Sequence, residues 1–439
     1  MKRSAPLFAV LLIGLLVAVA SARADTPTTG PVSVRTRLPS GLTVLVTENH
    51  AAPVVAASLF VKVGSRWETD ADAGVTNLLQ QVMLKGTTTR SAVAIAESAD
   101  DMGGSIGASA EMDFSEVRGT ALARRWRDLL ELIADVALRP SLPEDEIARE
   151  RQIALRSLRN RQDQPYPLAL DTLMRRLYGP HPYGNQSLGR AEAVERVDRA
   201  GLLNHYRRYY RAGRMTLSVS GDVTPRAVQA EVTRLFAAAP DREGESSGAP
   251  PTPAPALDRA TVTRPAAQSQ ILMGFIAPPV SHPDYAAVKV LSAALGGGMA
   301  GRLFTELRDR QGLAYSTGAI YPTRVGPSYL LAQIGTAPAN ATRAEDGMQA
   351  EIERIRREPV TDAELSRART YLLGQFALDR RTNARLAWYA AFFESAGVGH
   401  DFAPRYIRMV ERVTAADVLR VAGTYLASPT TVSLGPASR

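Results

Sequence analysis

The sequence predicts an α+β protein built twice on one plan, each half a mainly antiparallel sheet packed with helices. Three observations predict it. The 439 residues exceed what one ordinary core spans, so two domains are expected. Residues 241–255 carry Gly, Ser, Pro and charge with almost no large apolar side chain, which places a linker at 241–257. On both sides of that break, stretches with strand alternation are followed by stretches with helical spacing. The expected domains are therefore 25–240 and 258–439.

The elements follow in order. Residues 32–46 alternate as strands around a turn at Ser40-Gly41, and 53–63 form a second strand rich in Val and Ala. A helix over 73–84 is stopped by Lys85-Gly86. Another helix spans 93–102, a strand pair 106–122, and amphipathic helices 125–137 and 144–161. A strand at 215–220 ends on Gly221-Asp222 and leads into a helix over 224–238. Beyond the linker come a strand (268–275) and a helix (285–295) closed by Gly296, Gly297 and Gly298. Strands at 314–321 and 329–334, helices at 344–357 and 362–379, and a last strand at 431–434 complete the second half.

Residues 1–24 are expected to be a cleavable signal peptide. Lys2 and Arg3 precede an apolar run from 7 to 19, and Ala22-Arg23-Ala24 offers a small-x-small cleavage site before Asp25. The run is short for a membrane span, and no other stretch is apolar enough to cross a bilayer. A periplasmic or secreted protein with no membrane span after cleavage is expected. The formal charge is +8, of which Lys2, Arg3 and Arg23 supply three, leaving +5 on the mature chain. Scattered Arg beside Glu and Asp reads as solvated helix faces, without the basic stripe and interleaved aromatics of a nucleic-acid binder. No cysteine is present, which excludes disulfides, thiolate metal sites and a cysteine nucleophile.

Asn77, Gln80 and Gln81 stand at i, i+3 and i+4 on the 73–84 helix and so share a face, opposite Leu78, Leu79, Val82 and Met83. Spacing alone favours an ordinary polar face or a hydrogen-bonded cluster over any site. The run from Gly74 to Thr87, however, resembles the inverted zinc motif of the pitrilysin/insulinase-like (inverzincin) metallopeptidases, H-x-x-E-H within G-(L/V)-x-H-x-L-E-H-x-x-x-K-G-T. Gly64-Ser65-Arg66, Gly74, Lys85, Gly86 and Thr87 fit the motif's surroundings. The first His falls on Asn77, the Glu on Gln80 and the second His on Gln81. The family's third ligand, a Glu in a helix beginning E-R and leading to D-x-P, falls on Ser157, within a frame that keeps Glu150-Arg151 and Asp163-Gln164-Pro165.

All three ligands and the general base are thus replaced. Neutral amides are poor zinc ligands, a serine would have to ionise, and without Glu at position 80 nothing nearby could deprotonate a metal-bound water. The five histidines (His50, His181, His205, His282 and His400) form no short-spaced pair. The resemblance implies two pitrilysin-like domains forming half of a clamshell, with no catalytic residue and no metal of its own. Such a chain is similar in role to the non-catalytic subunit of mitochondrial processing peptidase. A zinc-bearing peptidase partner, forming a heterodimer, would supply the other half and act on peptides or unfolded segments.

Residues 295–316 resemble the family stretch L-G-G-G-x-x-x-R-L-F-x-E-L-R-x-x-x-G-L-A-Y-S almost throughout. In two-chain members the metal-free subunit contributes an Arg and a Tyr seven residues apart to substrate, which here are Arg308 and Tyr315. Arg donates to a carbonyl or carboxylate, and a Tyr hydroxyl supports an oxyanion. Without the resemblance, a surface ion pair for Arg308 and strand packing for Tyr315 would be the simpler account. Gly296, Gly297 and Gly298, with Gly301, resemble a shortened glycine-rich loop of a non-catalytic subunit. A helix cap and turn explains them equally well. Residues 103–117 resemble the strand pair that receives substrate, and 178–184 a family turn.

Two further readings remain. One is a zinc-free homodimer that binds peptides or acts as a scaffold; the other is an enzyme with relocated ligands. Gly103-Gly104-Ser105-Ile106-Gly107 matches the serine-hydrolase elbow G-x-S-x-G, but the elbow needs a strand before and a helix after, whereas a strand follows here.

Overall fold

The computed structural model describes residues 33–239, 251–254 and 257–437. The expected signal segment 1–24 and most of the expected linker 241–257 lie outside the described residues. In the first half the chain forms β1 (Ser33–Arg37), β2 (Thr43–Glu48), β3 (Val54–Val61), α1 (Val75–Met83), α2 (Ala92–Asp101), β4 (Ser105–Ala110), β5 (Ser115–Leu122) and α3 (Trp126–Leu138). It continues through α4 (Glu144–Asp163), α5 (Pro165–Tyr178), α6 (Ala191–Arg196), α7 (Arg199–Tyr209), β6 (Met215–Gly221) and α8 (Pro225–Leu235). The second half forms β7 (Asp258–Thr263), β8 (Ser269–Ala277), α9 (Tyr285–Gly296), β9 (Ser316–Ile320), β10 (Ser328–Thr336), α10 (Ala341–Arg357) and α11 (Asp362–Asp379). It closes with α12 (Asn383–Ser395), α13 (Phe402–Arg412), α14 (Ala415–Tyr425) and β11 (Thr430–Gly435).

The two sheets repeat one topology. The first runs β1-β2-β6-β3-β5-β4 and the second β7-β11-β8-β10-β9. In each, the last strand of the half inserts beside an early strand, and that pair is parallel: β2 with β6, and β7 with β11. The other pairs are antiparallel. Strand order therefore reveals the duplication that residue identity shows only weakly.

One face of the first sheet carries its own helices over a core of Leu59, Leu79, Val82, Leu129, Ile133 and Leu217. The opposite face receives α12 from the second half, which lies across β2, β3 and β6. Reciprocally, α5 of the first half packs on β8 and β11, setting Leu173 and Leu177 against Leu272, Leu331 and Val432. Gly274 in β8 leaves room for this helix, since a Cβ there would lie 3.0 Å from Leu173. At the α12 contact, Phe60 and Phe114 stack at 4.2 Å, and Trp388 meets both edge-on at 6.0 Å. Hydrogen bonds also tie down the helix ends: Asn49 donates to Asn383 at 2.7 Å and Arg35 to Glu394 at 2.7 Å.

This exchange generates a stability prediction. Phe392 is buried, stacks on Trp388 at 5.0 Å and meets Phe114 at 5.8 Å. Phe392→Ala should cost roughly 3–5 kcal/mol. Because α12 completes the first domain's sheet, denaturant unfolding of both domains should shift together in one transition. Two separated transitions, with only the later half shifted, would show the domains to be independent.

Candidate functional site

Helix α1 is positioned from its N-terminus. Gly74 precedes it at φ +104°, where a side chain would meet Val194 and the Leu188 carbonyl. The buried Glu68 carboxylate accepts from the backbone N–H of Gly74 at 2.7 Å and of Thr76 at 2.8 Å. It thereby occupies the orphan donors of the helix start. Burial outweighs those hydrogen bonds and pushes its pKa up to about 7. Thr76 Oγ1 lies 3.0 Å from His205 Nε2 on α7. Burial holds His205 down to about 4, so it is neutral near pH 7.

Of the three amides, the structure turns one inward and leaves the others nearer the surface. Gln80 is 0 % exposed; its Nε2 donates to Tyr210 Oη and faces Met83 Sδ at 3.7 Å. Its Oε1 has no hydrogen-bond partner among the described residues. Asn77 is half-buried and Gln81 exposed. The face expected from spacing is therefore neither uniformly solvated nor bonded within itself. Ser157 lies on α4, which packs against α1, and its hydroxyl donates to the Ile153 carbonyl one turn back at 3.0 Å.

These positions do not fit zinc. The side chain at the base position is an amide donating to a buried phenol, and Ser157 is spent on its own helix. Among the described residues no group of three His, Asp or Glu side chains converges to hold a metal ion. What persists around the motif serves the fold. Lys85 pairs with buried Glu150 at 2.9 Å and so ties the end of α1 to α4. Thr87 donates to fully buried Asp135 at 2.7 Å, which Arg90 also reaches at 2.6 Å.

Beside α1 lies β4, an edge strand of its sheet with one side unpaired among the described strands. Ser105 stands at its start, after α2, so a helix precedes this serine and a strand follows it. That order is the reverse of the hydrolase elbow, and Ser105 Oγ instead shares a 3.0 Å hydrogen bond with Thr120 Oγ1.

Arg308 and Tyr315 flank the entry to β9, the corresponding edge of the second sheet. Arg308 belongs to a single π-type helical segment, Phe304–Arg310, a local form frequent at functional sites. Its guanidinium lies 4.8 Å from the Phe304 ring and makes no ion pair or hydrogen bond among the described residues. Tyr315 is 75 % exposed, and its backbone N–H is held by the Gly335 carbonyl at 2.9 Å. Neither the surface ion pair nor the strand packing considered from sequence is found. The glycines have packing roles: a Cβ on Gly296 would overlap the backbone of Ala319 in β9, and one on Gly297 would lie 2.6 Å from the Ala293 carbonyl. Gly298 adopts φ +67° beneath Tyr371.

A feature that sequence reasoning missed is the seam between the domains. The turn between β4 and β5 carries Asp113, which accepts from Tyr183 Oη, from the Val325 N–H at 3.0 Å and from Arg66 at 3.3 Å. Above it opens a cavity of about 1020 Å³, between this turn and helices α9, α11, α12 and α13. Its members are spread from Ser109 to Tyr406, so no local pattern announces it.

Comparison with known proteins agrees with this architecture. A family profile described as insulinase (peptidase family M16) matches residues 43–190, and one described as peptidase M16 inactive domain matches 196–372. The chain belongs to the insulinase, or M16, peptidase family. The second description covers the later half, whereas the degenerate motif lies in the first. A zinc protease of Rickettsia felis, itself uncharacterised, is 28% identical over 411 residues, covering 91% of this chain and 97% of the relative. An uncharacterised zinc protease of Mycobacterium leprae is 33% identical over 289 residues, 64% of each chain. In fold, the chain superposes on a peptidase M16 inactive domain from Pseudomonas fluorescens with TM-score 0.87, at 23% identity, over 92% of this chain and 98% of that one. A protease from Helicobacter pylori matches equally, at TM-score 0.87 and 23% identity, over 92% and 100%.

Two predictions follow from the α1 region. As pH falls from the ordinary histidine value of about 6.5 toward 4, unfolded His205 takes up a proton that the folded chain refuses, so stability falls. His205→Gln should therefore lose less stability between about pH 7 and pH 5, by about 2 kcal/mol, read from urea midpoints. An unchanged pH slope would remove His205 from the acid response. Secondly, Asn77→His/Gln81→His/Ser157→Glu should retain about one zinc per chain after gel filtration, measured by elemental analysis, where the natural chain retains none. Failure of the folded variant to hold zinc would show that these positions do not converge.

Proposed function

We propose that this chain is the non-catalytic, substrate-binding subunit of a heterodimeric zinc metallopeptidase, exported to the periplasm or secreted, which acts on peptides or unfolded segments. The observation that carries the reading is a contrast within one molecule. At the motif the base position holds a buried amide engaged with Tyr210, while Arg308 and Tyr315 stand with their polar ends uncommitted.

Zinc and the base would come from an M16 partner, and this chain's own groups would bind and orient. A peptide in extended form adds to the unpaired side of β4 through main-chain hydrogen bonds. Arg308 donates to a carbonyl or carboxylate of substrate held across the clamshell, and the Tyr315 hydroxyl donates to the oxygen on which negative charge develops. Stacking on Phe304 keeps the Arg308 guanidinium in place without a carboxylate to displace. Export rests on residues 1–24, and the two relatives named zinc proteases support a peptidase context.

The test is affinity capture of the mature protein from its own host, with zinc analysis and a quenched-peptide assay of the eluate. A zinc-containing M16 homologue should co-elute at one to one. Tyr315→Phe and Arg308→Ala should each lower cleavage on the order of a hundredfold without loss of the complex. A protein that elutes alone, metal-free and inert, would instead favour the zinc-free peptide-binding or scaffold role, to which the cavity within the single chain already lends support.

A further inference from the structure

Helix α9 is almost wholly buried, and Lys289 is the one charged residue on it. The Lys289 ammonium is enclosed among aromatic rings, 5.4 Å from the Tyr285 centroid and 5.0 Å from that of Tyr321. It donates one hydrogen bond, to the Tyr321 carbonyl at 2.7 Å. No acidic side chain lies within ion-pair distance of it among the described residues. Lys289 is half-buried, and a partly desolvated charge without a counter-charge carries a cost that a neutral side chain at this position would not. Burial draws the ammonium's pKa down to about 8, which leaves it mostly charged near pH 7.

Lys289 lines the 1020 Å³ cavity between the domains, a volume suited to a ligand the size of one or two residues and their neighbours. Phe376, Trp388, Tyr389, Phe393 and Tyr406 form its apolar walls. Of the cavity's other charged groups, Arg381 donates to the Leu378 carbonyl at 2.7 Å, Arg324 lies over the Tyr183 and Tyr329 rings, and Glu111 makes no ion pair among the described residues. Arg385 is held by Asp379 at 2.5 Å, and Tyr389 Oη also donates to Asp379, at 2.6 Å. Glu116 accepts from Ser58 and, at 3.4 Å, from Arg118. Asp113 is held by Tyr183, Val325 and Arg66 as described above. The Lys289 ammonium, held by one carbonyl and no carboxylate, is thus a cation available to an anionic ligand. A complementary ligand carries an anion on an aromatic or branched apolar body. Ser109, on the free edge strand β4, lines the same cavity, so an extended peptide added to that edge has its end within reach.

We propose that the interdomain cavity captures the C-terminal residue of a bound peptide, with its apolar side chain against the aromatic walls and its α-carboxylate on the Lys289 ammonium. The proposal rests on the peptide-binding part of the function above and assigns that function a polarity: the chain prefers free C-termini over internal segments. It needs neither the partner nor cleavage.

The test is fluorescence anisotropy on the isolated mature chain, with an N-terminally labelled peptide ending in Leu-Phe as the free acid and as the C-terminal amide. The free acid should bind about tenfold more tightly than the amide. Lys289→Met should bring the acid down to the amide's affinity and leave the amide unchanged. Equal affinity of acid and amide for the natural chain overturns the proposal without any variant, so a misfolded Lys289→Met does not shelter it. Phenylpropionate, the same chemistry without a peptide, is added as competitor. If it occupies the site while neither peptide binds, the cavity serves a small aromatic acid and the peptide assignment fails. A preserved acid preference in a chain that captures no peptidase would leave this inference standing and remove only the heterodimer.

Discussion

Each sheet of this protein is completed by the other half of the chain. A sheet must bury both faces or leave an apolar one in water, and here the second face is covered by a helix from the opposite domain: α12 on the first sheet and α5 on the second. The two domains are therefore held at a fixed mutual position by hydrophobic burial. The cavity between them, the Asp113 cluster beneath it and the placement of Lys289 all depend on that arrangement. So does the orientation of the two edge strands, β4 and β9, on which any handling of an extended peptide relies.

The same scaffold explains how a motif can lose its chemistry and keep its outline. Gly74, Lys85 and Thr87 have structural work independent of metal: a left-handed turn into α1, a pairing with Glu150, and a hydrogen bond to buried Asp135. Replacing any of them would disturb α1 or its neighbours. The ligand positions carry no such obligation, and they now hold two amides and a hydroxyl that differ in burial. Gln80 remains polar because Tyr210 Oη is fully buried beside it and takes its amide hydrogen.

Several elements were legible because their signals are local. The apolar runs of β2, β3 and β10, the amphipathic helix α4, the helix α11 and the break before β7 all sit in short windows of sequence, within a few residues of their observed bounds. Others had no local signal. Helix α12 is covered on several sides, so Ala387, Trp388, Ala390, Phe392 and Phe393 give it no polar face to mark its period. Helix α5 opens on Pro165 and Pro167, which read as a loop although proline is well placed in a first helical turn. Strand β7 is a short, half-exposed edge recognisable only by its parallel pairing with β11.

The sequence by itself determined which atoms are available for chemistry. The absence of cysteine, the replacement of imidazole and carboxylate by amide and hydroxyl at four motif positions, and the presence of Arg308 and Tyr315 are matters of covalent identity that no fold can alter. Tertiary structure alone decided which of those atoms are free. It buried Gln80 and left Gln81 exposed, kept Arg308 clear of any acid among the described residues, and set Lys289 beside Tyr285 and Tyr321 in a cavity whose walls come from segments more than a hundred residues apart. Desolvation and pairing are properties of surroundings assembled from distant parts of the chain, and residue spacing along it carries no record of them.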